Sequence, residues 1–206
     1  MMFNEQKIGQ QEIPAIILAA GQGSRVGKNK ALLEIKGIKF LEMIVSSLRK
    51  AGFDWILVVG GAEGDSVRKE AERLHANFAL NEGWQRGQFS SLKTGLAKLG
   101  SGLRGGMVVL VDHPFVSSDT YRSLVSTFAG SPESIVIPTY EGKRGHPVII
   151  PKEFIVEINE APDRLTLRDI IRKHDRDILY QSVQDGGIVE NIDSPEDLER
   201  ARQKES

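Results

Sequence analysis

The run from Pro14 to Leu33, PAIILAAGQGSRVGKNKALL, constrains the fold more than any other stretch of the chain. Its apolar segment Ala15 to Ala20 has no polar alternation, the pattern of a strand covered on both faces in a parallel sheet. Glycines at 21, 23 and 27 then break it, and apolar sequence resumes at Ala31. A strand ending in such a turn delivers exposed backbone amides, and Arg25, Lys28 and Lys30 add cationic side chains. That combination suits polyphosphate, although a tight strand-to-helix turn with solvated lysines would read the same way.

The segments that follow continue as alternating strands and helices. Leu41, Ile44, Val45 and Leu48 fall at helical spacing with Gly52 placed to end the helix, and Trp55 to Val59 is a second buried strand. Asp65 or Ser66 can cap a helix carrying Val67, Ala71 and Leu74; Asn77 to Leu80 is a third strand; Phe89, Leu92, Leu96 and Leu99 mark another helix. Met107 to Val111 is a fourth strand, after which Ser117 or Ser118 caps a helix through Phe128. Ser134 to Pro138 reads as a strand, and YEGKRGHPVII as a glycine-turned ribbon leading into an extended run. A short helix over Leu165 to Lys173 and strands over Ile178 to Val183 and Ile188 to Ile192 precede a last helix, opened by Ser194-Pro195-Glu196-Asp197. This order predicts an α/β fold: a three-layer Rossmann-like sandwich with a mostly parallel central sheet, helices on both faces and a small β-ribbon. Residues 1–12 read as a polar N-terminal extension and 13–203 as one domain.

Composition narrows the partners. Lys plus Arg number 27 against 28 Asp plus Glu, so the net charge of -1 offers no global positive field for a polynucleotide. The absence of cysteine removes disulfides, thiolate metal sites and a cysteine nucleophile, and agrees with a reducing, cytoplasmic setting. No apolar run reaches the ~20 residues needed to cross a bilayer.

Ligands of parallel sheets lie beyond the C-terminal ends of the strands, which puts the glycine loop and Asp112 on one rim. The loop is neither of two familiar phosphate motifs: the spacing of Gly21, Gly23 and Gly27 is one residue too long for GxGxxG, and Gly27-Lys28 is followed by Asn29 and preceded five residues earlier by Gln22. Asp112, in VLVDHPFV, could hold Mg²⁺ between triphosphate oxygens or cap the next helix, a task Ser117 or Ser118 can already perform. Asp193 by itself reads as a turn acid near a helix N-terminus, and Lys143 and Arg144 as either phosphate-gripping or solvated turn residues.

LAAGQGSRVGKNKALL resembles the signature LAAGxGxRMGxxK of nucleotidyltransferases that activate sugars, polyols and pterin cofactors, and most of all the molybdenum cofactor nucleotidyltransferases. Val26 stands where that family usually has methionine. The resemblance runs from about Pro14 to about Ala201 and carries expectations with it. Leu18, Ala19, Ala20, Gly21 and Gly23 would bind nucleotide; Arg25 and Lys30 would stabilise transferring phosphates; Asp112, in a DxP-like motif, would be catalytic and a metal ligand. In NEGWQRGQFSSLKTGL, Asn81, Gly87 and Ser91 match the segment that reads the base, while Gln88 has no assigned part. IDSPEDL resembles the element whose acid, here Asp193, is the second metal ligand, with Asn191 a neighbour of the same site. GKRGHPVII resembles the family's acceptor-side ribbon, which implicates Lys143, Arg144, Gly145 and His146; His113, in the variable position of DxP, receives no role.

The activity so implied is Mg²⁺-dependent transfer of CMP from CTP to molybdopterin, with a molybdenum hydroxylase as a client of the product. CTP is favoured over GTP because the chain reads LAAG where guanylyl enzymes tend to read LAGG, which makes Ala20 the residue at issue. Cytidylyl, uridylyl or guanylyl transfer to a sugar or polyol phosphate is the alternative enzyme, and a non-catalytic nucleotide-binding accessory protein the alternative from another class.

Overall fold

The structure, a computed structural model, describes residues 12–23, 27–100 and 102–204. Strand β1 (Ala15–Ala19) lies in the middle of the main sheet, paired in parallel with both β4 (Ile56–Gly60) and β6 (Gly105–Leu110). Its side chains explain the missing alternation. Ala15, Ile17 and Ala19 enter one buried cluster and Ile16 and Leu18 the other, so neither face meets water.

The remaining strands are β5 (Asn77–Leu80), β7 (Ile135–Tyr140), β8 (Lys143–Arg144), β9 (Val148–Pro151) and β10 (Ile178–Ser182), and the order across the sheet is β10-β7-β9-β6-β1-β4-β5. Every neighbour along this path is parallel except β9, which runs antiparallel to both β6 and β7. One face is covered by α1 (Phe40–Ala51), α2 (Gly64–Arg73) and α4 (Ser118–Gly130), through residues such as Leu41, Val67 and Leu124. The other is covered by α3 (Gln88–Leu96), α5 (Lys152–Glu160) and α6 (Leu167–Lys173), through Leu92, Ile158 and Ile170. The expected three-layer architecture is therefore present.

Local chemistry sets several boundaries. Gly52 ends α1 with φ 97, a left-handed value that costs glycine nothing. Glu141 and Gly142, both with positive φ, close a two-residue turn that pairs β7 with β8 in the register Thr139 to Arg144 and Tyr140 to Lys143. Ser194 opens α7 (Pro195–Lys204), its Oγ accepting from the Asp197 amide while Asp197 Oδ2 accepts from the Ser194 amide, a reciprocal cap.

Four elements differ from the sequence reading. A small antiparallel hairpin, β2 (Glu34–Ile35) with β3 (Ile38–Lys39), follows the glycine loop. α5 follows the expected extended run, in a stretch the sequence reading left without an element, because Phe154 and Ile158 sit one turn apart and bury together. α2 begins at Gly64 without a side-chain cap from Asp65 or Ser66; Glu63 precedes it, and the Glu63 carboxylate accepts from the Asn29 amide instead. The expected strand over Ile188 to Ile192 is absent: a 3-10 turn at Gly186–Ile188 leads into an irregular segment. Its apolar side chains answer to packing, since Ile188 and Ile192 are both buried without belonging to a strand.

Candidate active site

The loop leaving β1 folds back on itself through a hydrogen bond from the Gly27 amide to the Gly23 carbonyl at 2.9 Å. Gly23 has φ 60, and a Cβ there would fall 1.8 Å from the Lys28 carbonyl oxygen, so a side chain is excluded. Gly21 borders open space. Leu18, Ala19 and Ala20 are buried, and the Ala19 and Ala20 carbonyls are already taken by the Asn29 side chain and the Ala62 amide. Arg25 lies outside the described residues, as do Ser24 and Val26.

Asn29 anchors the return of the loop. It is fully buried; its Nδ2 donates to the carbonyls of Ala19 and Ala62, and its Oδ1 accepts from the Ala31 amide to cap the 3-10 turn Lys30–Leu32. The ends of β1 and β4 are thereby stapled to the residue before Lys30.

Lys30 is then aimed at two carboxylates. Its Nζ donates to Asp112 Oδ2 at 3.3 Å and to Asp193 Oδ1. Asp112 follows β6 and Asp193 precedes α7, and a main-chain hydrogen bond from the Ile192 amide to the Asp112 carbonyl, 2.9 Å, draws the two segments together. The other oxygens are occupied: Asp112 Oδ1 lies 3.0 Å from His113 Nδ1, and Asp193 Oδ2 accepts from the Asn191 amide group. Burial raises the Asp112 carboxyl, but the His113 ring and the Lys30 ammonium more than offset this and hold it below the usual carboxylate range.

The ribbon contributes unevenly. Lys143 and Arg144 are exposed at the tip of the β7–β8 hairpin, where the Arg144 guanidinium lies 4.6 Å over the Tyr180 ring. Gly145 and His146 lie deeper. A Cβ on Gly145 would come 2.3 Å from the Ile188 carbonyl oxygen, which also accepts from the His146 amide at 2.9 Å. The His146 ring packs 5.5 Å from the His113 ring, so His146 reaches the acidic pair through His113. Burial first, and His113 beside it, push His146 down to about 4.

Asn81 and Ser91 are buried, and Asn81 Nδ2 donates to the hydroxyls of both Ser90 and Ser91 while its Oδ1 accepts from the Gly83 amide. Their polar atoms shape the segment before α3. Gly87, with φ 99, is exposed and borders a cavity of 330 Å³ together with Leu18, Gln88, Leu110 and Thr166. Arg86 and Asp163 form an ion pair at 2.7 Å between the segments flanking that cavity.

The site therefore gathers Lys30, Asp112, Asp193, His113 and His146, with Gly21 and Gly23 in the loop beside Lys30 and Leu18 and Gly87 at the cavity; Lys143 and Arg144 stand apart. Sequence reasoning gave His113 no role and passed over Asn29. Direct adjacency to Asp112 was the available signal for the first; for the second it was the tendency of Asn to cap a turn two residues on. Among the described residues no three His, Cys, Asp or Glu side chains are grouped to hold a metal ion. Two carboxylate oxygens converging on one point nonetheless suit a hard divalent cation that completes its shell with water and substrate oxygens.

Residues 15–178 match the MobA-like NTP transferase domain. The chain belongs to that family. Its fold now has a functional context, because this domain carries nucleotidyltransferase activity. Among MobA-like relatives, a probable molybdenum cofactor guanylyltransferase of Natranaerobius thermophilus is 24% identical over 200 residues, covering 92% of this chain and 95% of the other. The molybdenum cofactor cytidylyltransferase of Escherichia coli K12 is 21% identical over 192 residues, covering 93% and 96%. The crystal structure of Rv0371c from Mycobacterium tuberculosis H37Rv in complex with manganese superposes with a TM-score of 0.79 at 21% identity, over 94% of this chain and 99% of that one. No helix among the described residues of this MobA-like chain is long and apolar enough to cross a membrane.

Proposed function

We propose that this nucleotidyltransferase transfers the cytidylyl group of CTP to the terminal phosphate of molybdopterin and releases pyrophosphate. The observation that carries the reading is the convergence of Asp112 and Asp193 on Lys30 beside the glycine loop. An acceptor phosphate oxygen attacks the α-phosphorus in line; the bond from that phosphorus to the bridging oxygen breaks, and pyrophosphate leaves with the electron pair. A phosphate acceptor is already ionised at neutral pH, so no general base is needed. Positioning and charge stabilisation supply the rate.

In this reading Lys30, Arg25 and the amides of Gly21 and Gly23 neutralise the leaving pyrophosphate. Asp112 and Asp193 would hold Mg²⁺, which would supply Lewis-acid stabilisation of phosphoryl oxygens. His113 fixes the Asp112 carboxylate, and His146, packed against His113, forms the acceptor side with Gly145. The nucleoside occupies the cavity between Leu18 and Gly87, and the hydrogen bond from Asn81 to Ser91 orders the first turn of α3 beside it. Lys143 and Arg144 take the distal part of the acceptor, and a molybdenum hydroxylase in the same cytoplasmic compartment receives the product.

The base is the finer question, since the relatives' names divide between guanylyl and cytidylyl transfer. Ala20 favours CTP, as a side chain where guanylyl enzymes tend to have glycine. Pyrophosphate release with molybdopterin, Mg²⁺ and each nucleotide tests the reading. Release with CTP is expected; release with GTP alone would transfer the assignment to guanylylation, and no release with either would end it.

A further inference from the structure

We infer that the Lys30 ammonium is the resident counter-ion of the Asp112–Asp193 pair, which a divalent cation has to displace, so that cation and triphosphate enter the site together. The inference rests on the functional reading above and adds a control on the order of events to it.

Each carboxylate in the pair has one oxygen occupied by a neighbour and one directed at Lys30. His113 lies against Asp112 Oδ1 and leaves Oδ2 to the ammonium. Asn191 donates to Asp193 Oδ2 and leaves Oδ1 to the same ammonium. The two oxygens that a hard cation would take are thus the two that Lys30 holds. With side-chain exposures of 17% for Lys30 and 21% for Asp112, the contact is screened only in part by water.

The backbone of Lys30 is fixed on both sides. Buried Asn29 staples the preceding residue to Ala19 and Ala62, and the Leu33 amide donates to the Lys30 carbonyl. Only the side chain is free to change partner, and a lysine stem with several rotatable bonds ending in a compact charge is suited to that exchange. While the ammonium is in place, an arriving cation meets a net charge of about -1 instead of about -2 and must also evict a positive group. A triphosphate beside the glycine loop offers the ammonium a new anionic partner, and the two Asp oxygens become free as it turns. Cation affinity should accordingly be low before nucleotide arrives.

Mn²⁺ binding to the nucleotide-free protein, followed by the electron paramagnetic resonance signal of the free ion, tests this. Lys30→Met keeps the stem and removes the charge, and Lys30→Gln is a second uncharged variant should the first fail to fold by circular dichroism. The expected result is Mn²⁺ affinity at least about tenfold tighter than wild type in either folded variant, with the gain abolished when Asp193→Asn is added. A smaller gain, or a gain that survives Asp193→Asn, overturns the inference. Neither outcome depends on turnover: absence of pyrophosphate release in wild type would sink the functional reading, whereas unchanged Mn²⁺ affinity in an otherwise active protein would sink only the counter-ion role.

Discussion

The Ile192 amide donates to the Asp112 carbonyl at 2.9 Å, and this one main-chain bond links the strand-end loop of β6 to the segment that carries Asp193. Two acids far apart in the chain are brought to one ammonium because the loop between β10 and α7 crosses the rim of the sheet. Acid placement here is a property of backbone packing as much as of the side chains themselves.

Removing the better-buried acid should stop the chemistry. Asp112→Ala is expected to lower pyrophosphate release at least ~100-fold, the scale seen when a charge-stabilising element is lost. Wild-type-like circular dichroism with undiminished release would exclude Asp112 from the mechanism.

Gly145 tests whether the backbone scaffold matters. A methyl group there meets the Ile188 carbonyl at 2.3 Å, so Gly145→Ala must push the 186–192 segment away from the ribbon. We expect a loss of about 1–3 kcal/mol in urea unfolding, together with a fall in activity larger than the unfolded fraction explains. Unchanged values of both would show that the segment yields freely.

Asn29→Leu is expected to destabilise by several kcal/mol. The substitution leaves the Ala19 and Ala62 carbonyls and the Ala31 amide without their partner in a fully buried place, at about 1–3 kcal/mol for each such group. A denaturation midpoint equal to wild type would contradict the anchoring role.

His146 makes the fold sensitive to mild acid. Its folded value is pushed down to about 4 from 6.5 by burial and by His113, so between those two values the unfolded chain binds a proton that the folded chain refuses. Stability from this group is complete above pH 6.5, is lost as pH falls toward 4, and changes no further below. The lowered Asp112 and Asp197 carboxyls act in the same direction, but mainly beneath the ordinary 3.8. Urea midpoints for His146→Gln should therefore decline less than wild type between pH 6.5 and 4; parallel curves would refute the assignment.

Local signals carried most of the architecture. The unbroken apolar run of β1, the left-handed stop at Gly52 and the Ser194 cap each have a cause within a few residues, and each stands where sequence reasoning put it. What was hidden depended on distant packing. The 188–192 segment imitates a strand because it is wedged against Phe115 and Gly145, and α5 was hidden because it opens on the charged Lys152 and Glu153 and buries only Phe154 and Ile158, too few positions to read as a helical stripe. In the site, Asp112 and Asp193 were legible as separate candidates, and the Lys30 bridge between them was not. The pairing of His113 with Asp112, and the burial of Asn29, needed three-dimensional neighbours to be seen.

The single reversed strand has a consequence for how such a protein can diversify. Because β9 opposes β6, with Val148 beside Val108 and Pro151 beside Gly105, it starts at the end of the sheet where the parallel strands finish. The hairpin that feeds it can therefore hang over the rim as a replaceable part, joined to the glycine-loop half chiefly by the His113–His146 contact and by the 186–192 segment. Insertions or substitutions in that hairpin would leave the strand order of the sheet unthreaded. On the proposed reading, in which the ribbon meets the acceptor and the glycine-loop half the nucleotide, a lineage could exchange one phosphorylated partner for another by remodelling that short ribbon alone.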